Sequence, residues 1–156
     1  MAEQLGGNPP SGTIAPGLHR EVSASGGATR DLRPDESGGV FLWDAATGVI
    51  FNLPPEPVAG MQYTFVCTVS VTSNAHAIAT DDAAIFIGGA IQQVIDTSAT
   101  SEGQVGDATS DVTISMNGST TGGLIGTNIT VTALSATTWH ATGLVVGSGT
   151  LSTPFA

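Results

Sequence analysis

The sequence contains no lysine, and its 156 residues include 3 basic side chains, all arginines, against 13 acidic ones. The formal net charge at pH 7 is therefore -10. Lys and Arg supply most of the affinity of proteins for a nucleic-acid backbone and for anionic lipid headgroups. The composition thus argues against nucleic-acid and membrane partners.

Cysteine and long apolar runs are also scarce. The single cysteine, Cys67, cannot form an internal disulfide or a cysteine zinc cluster. Every apolar run is far shorter than the ~20 residues of a membrane-spanning helix, and we expect no secretory signal because no basic stretch precedes an apolar one. The hydrophobic content of 40% nevertheless predicts a folded chain, of a length that suits one domain.

Residues 1–35 differ from the rest because they are rich in Gly, Pro and Ser and lack any apolar periodicity. Proline there interrupts both helices and central strands. The segment is predicted to be an extended N-terminal arm, either disordered or ordered only along a partner. Its side chains available for such a contact are Leu5, Ile14, Leu18, Arg20, Val22, Arg30, Leu32 and Arg33.

Residues 36–156 show the patterns of β-strands. Apolar and polar residues alternate over residues 61–72, which is typical of a strand with one buried face. No window has the apolar spacing of an amphipathic helix over three turns. The remaining strands are predicted at residues 40–43, 49–53, 76–80, 84–87, 90–95, 112–116, 128–134 and 138–146.

Two pairs of these strands are predicted to form hairpins. Residues 40–43 and 49–53 flank a short turn, and residues 84–87 and 90–95 flank a Gly-Gly dipeptide that can supply positive φ. Both pairs would then be antiparallel neighbours in one sheet.

Polar segments separate the other strands. Residues 96–110 are predicted to be a loop, Asn117 and Gly118 form a strong turn signal, and residues 147–156 read as a short C-terminal tail. About eight strands joined by turns predict an all-β fold, a jelly-roll-like sandwich or small barrel over residues 36–156 that follows the arm.

The residues that carry chemistry form no recognisable catalytic motif, since GxSxG, HExxH and P-loop patterns are absent. His19 falls in the arm, whereas His76 and His140 fall in strands and are expected to face solvent or a satisfied polar niche. Cys67 is expected in the core, because no Lys or Arg lies in the β region to activate a thiolate. The chain is predicted not to be an enzyme. A hydrolase would need a Ser or Asp within hydrogen-bond reach of His76 or His140.

Two acidic groups could hold a hard cation. Asp81 and Asp82 are adjacent, and Glu102, Asp107 and Asp111 lie in or near one predicted loop. Calcium takes ~6–8 oxygen ligands, which backbone carbonyls could complete. Solvated acidic turns are the alternative interpretation, and we predict no metal or cofactor.

Tryptophan and tyrosine, whose rings carry a hydrogen-bonding group and are favoured in sugar-binding sites, are few. Trp43, Tyr63 and Trp139 all fall in predicted strands, where core packing is the simpler role. The predicted core residues are Phe41, Trp43, Leu53, Tyr63, Phe65 and Trp139.

Residues 30–66 combine a leucine, an acidic Ser-Gly turn, an apolar strand ending in Asp-Ala-Ala, a Leu-Pro stop and an alternating strand. These features lie at Leu32, Glu36, Ser37, Gly38, Phe41, Leu42, Trp43, Asp44, Ala45, Ala46, Gly48, Leu53, Pro54, Pro57, Gly60, Tyr63, Thr64, Phe65 and Val66. The pattern resembles small virion proteins of tailed bacteriophages, and residues 126–143 resemble their closing hairpin.

The resemblance is to head decoration (cement) proteins. It implies a β-rich protein, a homotrimer, made in the host cytoplasm and located on the outer capsid surface of the virion, where it clamps neighbouring major capsid proteins. It also implies that residues 1–35 are a capsid-binding arm. The alternative is a tail-fibre or adhesin-type module that binds a host-surface glycan through exposed aromatic and Asp or Asn side chains.

Overall fold

The computed structural model describes residues 22–156. These residues form eleven β-strands and one turn of 3-10 helix, Pro34–Glu36. The strands are β1 (Val22–Ser23), β2 (Thr29–Asp31), β3 (Val40–Trp43), β4 (Ile50–Leu53), β5 (Gln62–Cys67), β6 (His76–Thr80), β7 (Phe86–Ile95), β8 (Ser101–Asp107), β9 (Thr113–Met116), β10 (Asn128–Ala133) and β11 (Thr138–Gly147).

The strands form two sheets that pack as a sandwich. The larger sheet has seven strands in the order β1-β3-β5-β10-β11-β7-β8, and the smaller has four in the order β2-β4-β6-β9. The predicted all-β sandwich is confirmed, and over residues 22–156 the sheets do not close into a barrel. The jelly-roll connectivity stays a prediction.

The first six strands alternate between the two sheets. As a result β1, β3 and β5 are parallel neighbours in the larger sheet, and β2, β4 and β6 are parallel neighbours in the smaller one. The predicted hairpin of residues 40–43 with 49–53 is therefore wrong. Its turn carries the chain from one sheet to the other, and Gly48, at φ 86°, lies so close to Ala75 that an added Cβ would be 2.6 Å from the Ala75 carbonyl oxygen.

The second predicted hairpin is also wrong, because β7 runs without interruption through Gly88 and Gly89. Gly89 has a φ of 119°, and a Cβ on it would lie 2.1 Å from the carbonyl oxygen of Ala141 in the parallel neighbour β11. A Cβ on Gly88 would lie 2.5 Å from Cβ of Ala108. The dipeptide thus permits a close approach of neighbouring chain segments rather than a chain reversal.

The segment 96–110, predicted to be a loop, contains β8, which pairs antiparallel with β7 at one edge of the larger sheet. An edge strand has one unpaired side and tolerates polar side chains, so polar composition does not exclude it. β9 ends at Met116, directly before Asn117 and Gly118, but the hydrogen-bonded turn that follows lies at Ser119 to Gly122, where the Gly122 N–H donates to the Ser119 carbonyl oxygen at 3.2 Å. Gly118 has a φ of 79°, and its N–H donates to the carbonyl oxygen of Gly122 at 2.6 Å.

The core between the sheets is rich in aromatic rings. Trp43 packs on Phe65 with ring centroids 5.5 Å apart, and Phe51 of the smaller sheet lies 5.3 Å from Phe65 and 5.8 Å from Phe41. Alternation along β5 buries Tyr63 and Phe65 on the same face. The rings therefore join the two sheets across the sandwich.

The sandwich begins before residue 36, the predicted start of the β domain, and it also includes the predicted C-terminal tail. β1 and β2 precede residue 36 and belong to the two sheets, and Leu32 is 3% exposed in the core. At the other end, Phe155 is 6% exposed and bridges to Ile114 of β9. Segments predicted to be an arm and a tail thus supply strands and core side chains.

Candidate interaction surface

The residues predicted for a capsid-binding arm have different positions. Four of them, Leu5, Ile14, Leu18 and Arg20, lie outside the described residues, as does His19. Val22 begins β1, where it pairs with Val40, and Leu32 is a core residue. Leu32 is therefore corrected from a partner contact to a packing residue, because it is buried within the sandwich itself.

Arg30 contacts residues before and after it in the chain, as well as a ring of the core. Its guanidinium donates to Ser23 Oγ at 2.6 Å and to the Ala24 carbonyl oxygen at 2.8 Å, and forms an ion pair with Glu36. It also lies over the ring of Phe41, 5.1 Å from the ring centroid. With the Arg30 side chain 23% exposed and that of Glu36 12% exposed, this arrangement holds residues 23–36 against the sandwich.

The charged group of Arg33 lies at the surface. Its side chain is 69% exposed and contacts Asp35 at 3.2 Å, an exposed pair of the kind that contributes little stability. Its carbonyl oxygen accepts a 2.9 Å hydrogen bond from the hydroxyl of Tyr63. Burial, together with the charges of Glu36 and Asp35, raises the pKa of Tyr63 to about 12, so this hydroxyl stays protonated.

The predicted core residues all lie in the interior. Every one is 1% exposed or less, including both tryptophans and the single tyrosine of the chain. The rings that a glycan-binding module would present to a sugar are therefore covered by protein. The residues concerned are Phe41, Trp43, Leu53, Tyr63, Phe65 and Trp139.

His76 is a buried structural residue. It is 0% exposed and stacks on Trp43, with ring centroids 5.6 Å apart. Nδ1 accepts the N–H of Val49 at 3.2 Å, so Nε2, which lies 2.9 Å from the carbonyl oxygen of Val69, is the protonated nitrogen of the neutral ring. Burial lowers the pKa of His76, which keeps the ring neutral and leaves neither nitrogen for proton transfer to a substrate.

Cys67 and His140, the other candidate nucleophile and base, have no catalytic partner among the described residues. Cys67 is 2% exposed, and burial raises the pKa of its thiol to about 11, so it is protonated at neutral pH. His140 lies opposite Thr132 on the outer side of the larger sheet, and no hydrogen bond joins it to a Ser or Asp among the described residues. The described residues thus offer no catalytic pairing to either histidine.

Asp107 and Asp82, two of the acidic residues considered for a cation, cap local turns. Asp107 Oδ1 accepts the N–H groups of Thr109 at 2.7 Å and Ser110 at 2.8 Å, and these bonds hold the pKa of the Asp107 carboxyl well below its usual range. Asp82 Oδ1 likewise accepts the N–H of Ala84 at 2.8 Å. Within residues 22–156, no group of three or more His, Cys, Asp or Glu side chains is placed to hold a metal ion.

The outer face of the larger sheet lacks ionic side chains over a wide area. β3, β5, β10, β11 and β7 are adjacent, and none of them contains Asp, Glu, Lys or Arg. One cross-strand row of this face consists of Val40, Thr64, Thr130, Thr142 and Ala90. At ~4.8 Å per strand the five strands span about 24 Å. We call this surface the neutral face.

Hydroxyl and amide groups supply the polarity of the neutral face. Oγ1 of Thr64 lies 3.1 Å from Oγ1 of Thr130, and Nε2 of Gln62 donates to Oγ1 of Thr132 at 3.1 Å. Side chains linked in this way can be covered by another protein without removing an ion from water, which is the costly step in burying polar surface.

None of the acidic side chains of the sandwich belongs to the five strands of this face. They occur in loops, in the 3-10 helix and on the edge strands β2 and β8. They are Asp31, Asp35, Glu36, Asp44, Glu56, Asp81, Asp82, Asp96, Glu102, Asp107 and Asp111. The sequence itself shows that charged residues are confined to certain segments, because residues 57–80 and 112–156 contain no Asp, Glu, Lys or Arg.

No protein-family model and no curated protein sequence matches the chain. None of the described residues forms a helix long and apolar enough to cross a membrane. The functional interpretation therefore depends on the surface itself and on the sequence resemblance of residues 30–66.

Proposed function

We propose that the chain is a structural protein of a tailed-bacteriophage virion that binds the capsid exterior and stabilises it by bridging major capsid proteins. The observation that carries this proposal is the neutral face, a broad sheet surface without ionic groups on a chain of net charge -10. Interface cores are depleted of charged residues, and this surface has that composition. The resemblance of residues 30–66 to virion proteins supports the capsid as the partner.

The proposed mechanism is mechanical. A capsid filled with DNA is under outward load, and a protein bound across neighbouring subunits adds contact area that must be lost before the subunits separate. The neutral face supplies such contact area, while the acidic loops remain in water. We propose that residues 1–21 add a second contact as the arm, and that the protein acts as a homotrimer.

The glycan-binding alternative gains no support from the described residues. Trp43, Tyr63 and Trp139 are each 0% exposed, so none of them can stack on a sugar. A groove of about 250 Å³ beside Ile50 contains two threonines and Asn74 among otherwise apolar residues, and has no ring and no carboxylate. We therefore carry only the capsid-binding proposal forward.

The test is co-sedimentation of the purified protein with capsids of the virus that encodes it. T142K places a cation on the neutral face, where Thr142 is exposed, and T29K places the same group at an exposed strand position of the smaller sheet. We expect T142K to weaken capsid binding about tenfold or more, which corresponds to ~1.4 kcal/mol, and T29K to change it by less than twofold.

Thermal unfolding of both variants serves as the folding control. Equal capsid binding by T142K and T29K would overturn the role of the neutral face. Failure of the unmodified protein to sediment with capsids would overturn the proposed function as a whole.

A further inference from the structure

The edges of the two sheets are protected to different degrees. β1 and β2 are edge strands of only 2 and 3 residues. β9 is covered by the chain end, where the Thr113 N–H donates to the Ala156 carbonyl oxygen and the Ser115 N–H to that of Pro154. β8 is 7 residues long and pairs only with β7 among the described residues. Within residues 22–156, β8 is therefore the long edge strand whose outer side has no neighbouring strand.

The hydrogen bonds at the ends of β7 define which backbone groups of β8 point outward. The Ile87 N–H donates to Asp111 at 2.7 Å and the Ile95 N–H to Thr100 at 3.1 Å, so the odd-numbered residues of β7 direct their N–H groups towards β8. In an antiparallel ladder, bonded and non-bonded pairs alternate. With the observed register, the residues of β8 whose N–H and C=O groups point away from β7 are Ser101, Gly103, Val105 and Asp107.

These outward groups are open except at one end. The Asp107 N–H donates to Oδ2 of Asp111 at 2.8 Å, which confirms its outward direction. The outward backbone groups of Ser101, Gly103 and Val105 have no hydrogen-bond partner in residues 22–156. Val105 is also 72% exposed. Open outward groups at alternate residues are a template for one more strand.

We propose that β8 pairs antiparallel with β8 of a second copy of this chain, in the register centred on Gly103. In that register Gly103 lies opposite Gly103 of the second copy, and Ser101 lies opposite Val105 of the second copy. Each pair joins outward groups to outward groups, so every open N–H and C=O of the three residues finds a partner. The edge is thus complementary to itself, as a two-fold contact requires.

The side chains fit the same register. Glu102 would lie opposite Gln104 of the second copy, so an amide donor rather than a second carboxylate faces each Glu102. The two residues already form such a contact within one chain, at 3.4 Å between Gln104 Nε2 and Glu102 Oε2. The central pair has no side chains, and an added Cβ on Gly103 would meet nothing within 4 Å. The chain also contains no lysine to block the edge.

This contact does not depend on capsid binding, because it requires only the described residues of two copies. A two-fold contact cannot close a ring of three. In a homotrimer of the proposed kind, β8 would therefore join one trimer to the next rather than build the trimer.

The first test is the mass of the full chain in solution, measured by sedimentation and light scattering over a range of concentrations. G103P removes an outward N–H and leaves the β7–β8 bonds in place, which is the position where an edge strand tolerates proline. We expect G103P and V105K to halve the mass, and V58K to leave it unchanged, since Val58 is comparably exposed at 62% outside the strand. A mass that G103P and V105K do not change, whether of one copy or of three, overturns the proposal.

The second test addresses the register by disulfide formation under mild oxidation. In the proposed register the residue-103 positions of two copies face each other at the ~5.5 Å Cα separation that a disulfide can span, whereas the residue-105 positions are about 14 Å apart. We expect G103C to form covalent dimers at least tenfold faster than V105C. Equal rates, with both variants folded, would contradict the register.

Discussion

The inner and outer faces of the seven-stranded sheet differ in why they lack charge. The inner face packs on the smaller sheet, and burial among rings such as Trp43, Phe65 and Phe51 excludes ions there. The outer face does not pack on the smaller sheet, so burial between the sheets does not explain the absence of Asp, Glu, Lys and Arg from five of its strands. The solvated face of a sheet normally carries polar and charged residues, because the side chains of each strand alternate between the core and water. The comparison therefore supports a protein partner for the outer face.

The largest expected effect comes from removing residues that complete the inner face. Deletion of residues 1–35 removes β1, β2 and Leu32, and it deprives Phe41 of the Arg30 guanidinium. We expect this variant to lose cooperative unfolding, because loss of a buried leucine alone costs about 2–5 kcal/mol out of a typical 5–15. Circular dichroism during thermal unfolding is the measurement.

Deletion of residues 1–21 is the matched control, since it removes none of the described strands. We expect its unfolding transition to stay within a few degrees of that of the full chain. If the two deletions were equally stable, residues 22–35 would not be part of the sandwich.

A smaller effect is expected from replacing single histidines, one buried in the core and one on the outer face of the larger sheet. H76A leaves the Val49 N–H and the Val69 carbonyl oxygen without their buried partner and opens a cavity beside Trp43. We expect a loss of about 3–5 kcal/mol of unfolding free energy in urea. H140A, on the outer face, should change it by about 0.5 kcal/mol or less. Similar losses for the two variants would remove the distinction between the core and the outer face.

The smallest effect is the pH dependence that His76 confers. Its pKa is lowered in the folded state, so the unfolded chain binds more protons below the ordinary value of 6.5. Stability from this group is therefore complete above pH 6.5 and is lost as the pH falls towards the folded-state pKa. The slope is at most ~1.4 kcal/mol per pH unit for one proton.

Urea midpoints between pH 5 and 8 measure this slope. H140A should retain it, and H76Q should lose it. A slope that persists in H76Q would assign the pH dependence to other groups.

Much of the local structure follows from the sequence, but the strand pairing does not. The alternation that predicts β5 is set by which side chains enter the core. The turn between β3 and β4 has the same local chemistry whether the chain returns to one sheet or crosses to the other. Gly88 and Gly89 are likewise compatible with a turn or with close strand contact, which only their neighbours decide.

The candidate surface was only partly visible in the sequence. The long stretches without charge, residues 57–80 and 112–156, are plain to read, but their strands become neighbours only through the topology. Leu32 resembles a lone apolar residue in a Gly- and Pro-rich segment, and its burial depends on β2 pairing with β4. Single residues with distant partners give no periodic signal.

We propose that the neutral face is the surface that binds the shell. An electron cryomicroscopy map of capsids incubated with the purified full chain tests it most directly. We expect density for the protein on the outer shell, with β3, β5, β10, β11 and β7 against capsid protein and the acidic loops that carry Asp81, Asp82 and Asp111 in solvent. Bare capsids, or bound protein whose neutral face points into solvent while those acidic loops contact the shell, would contradict it.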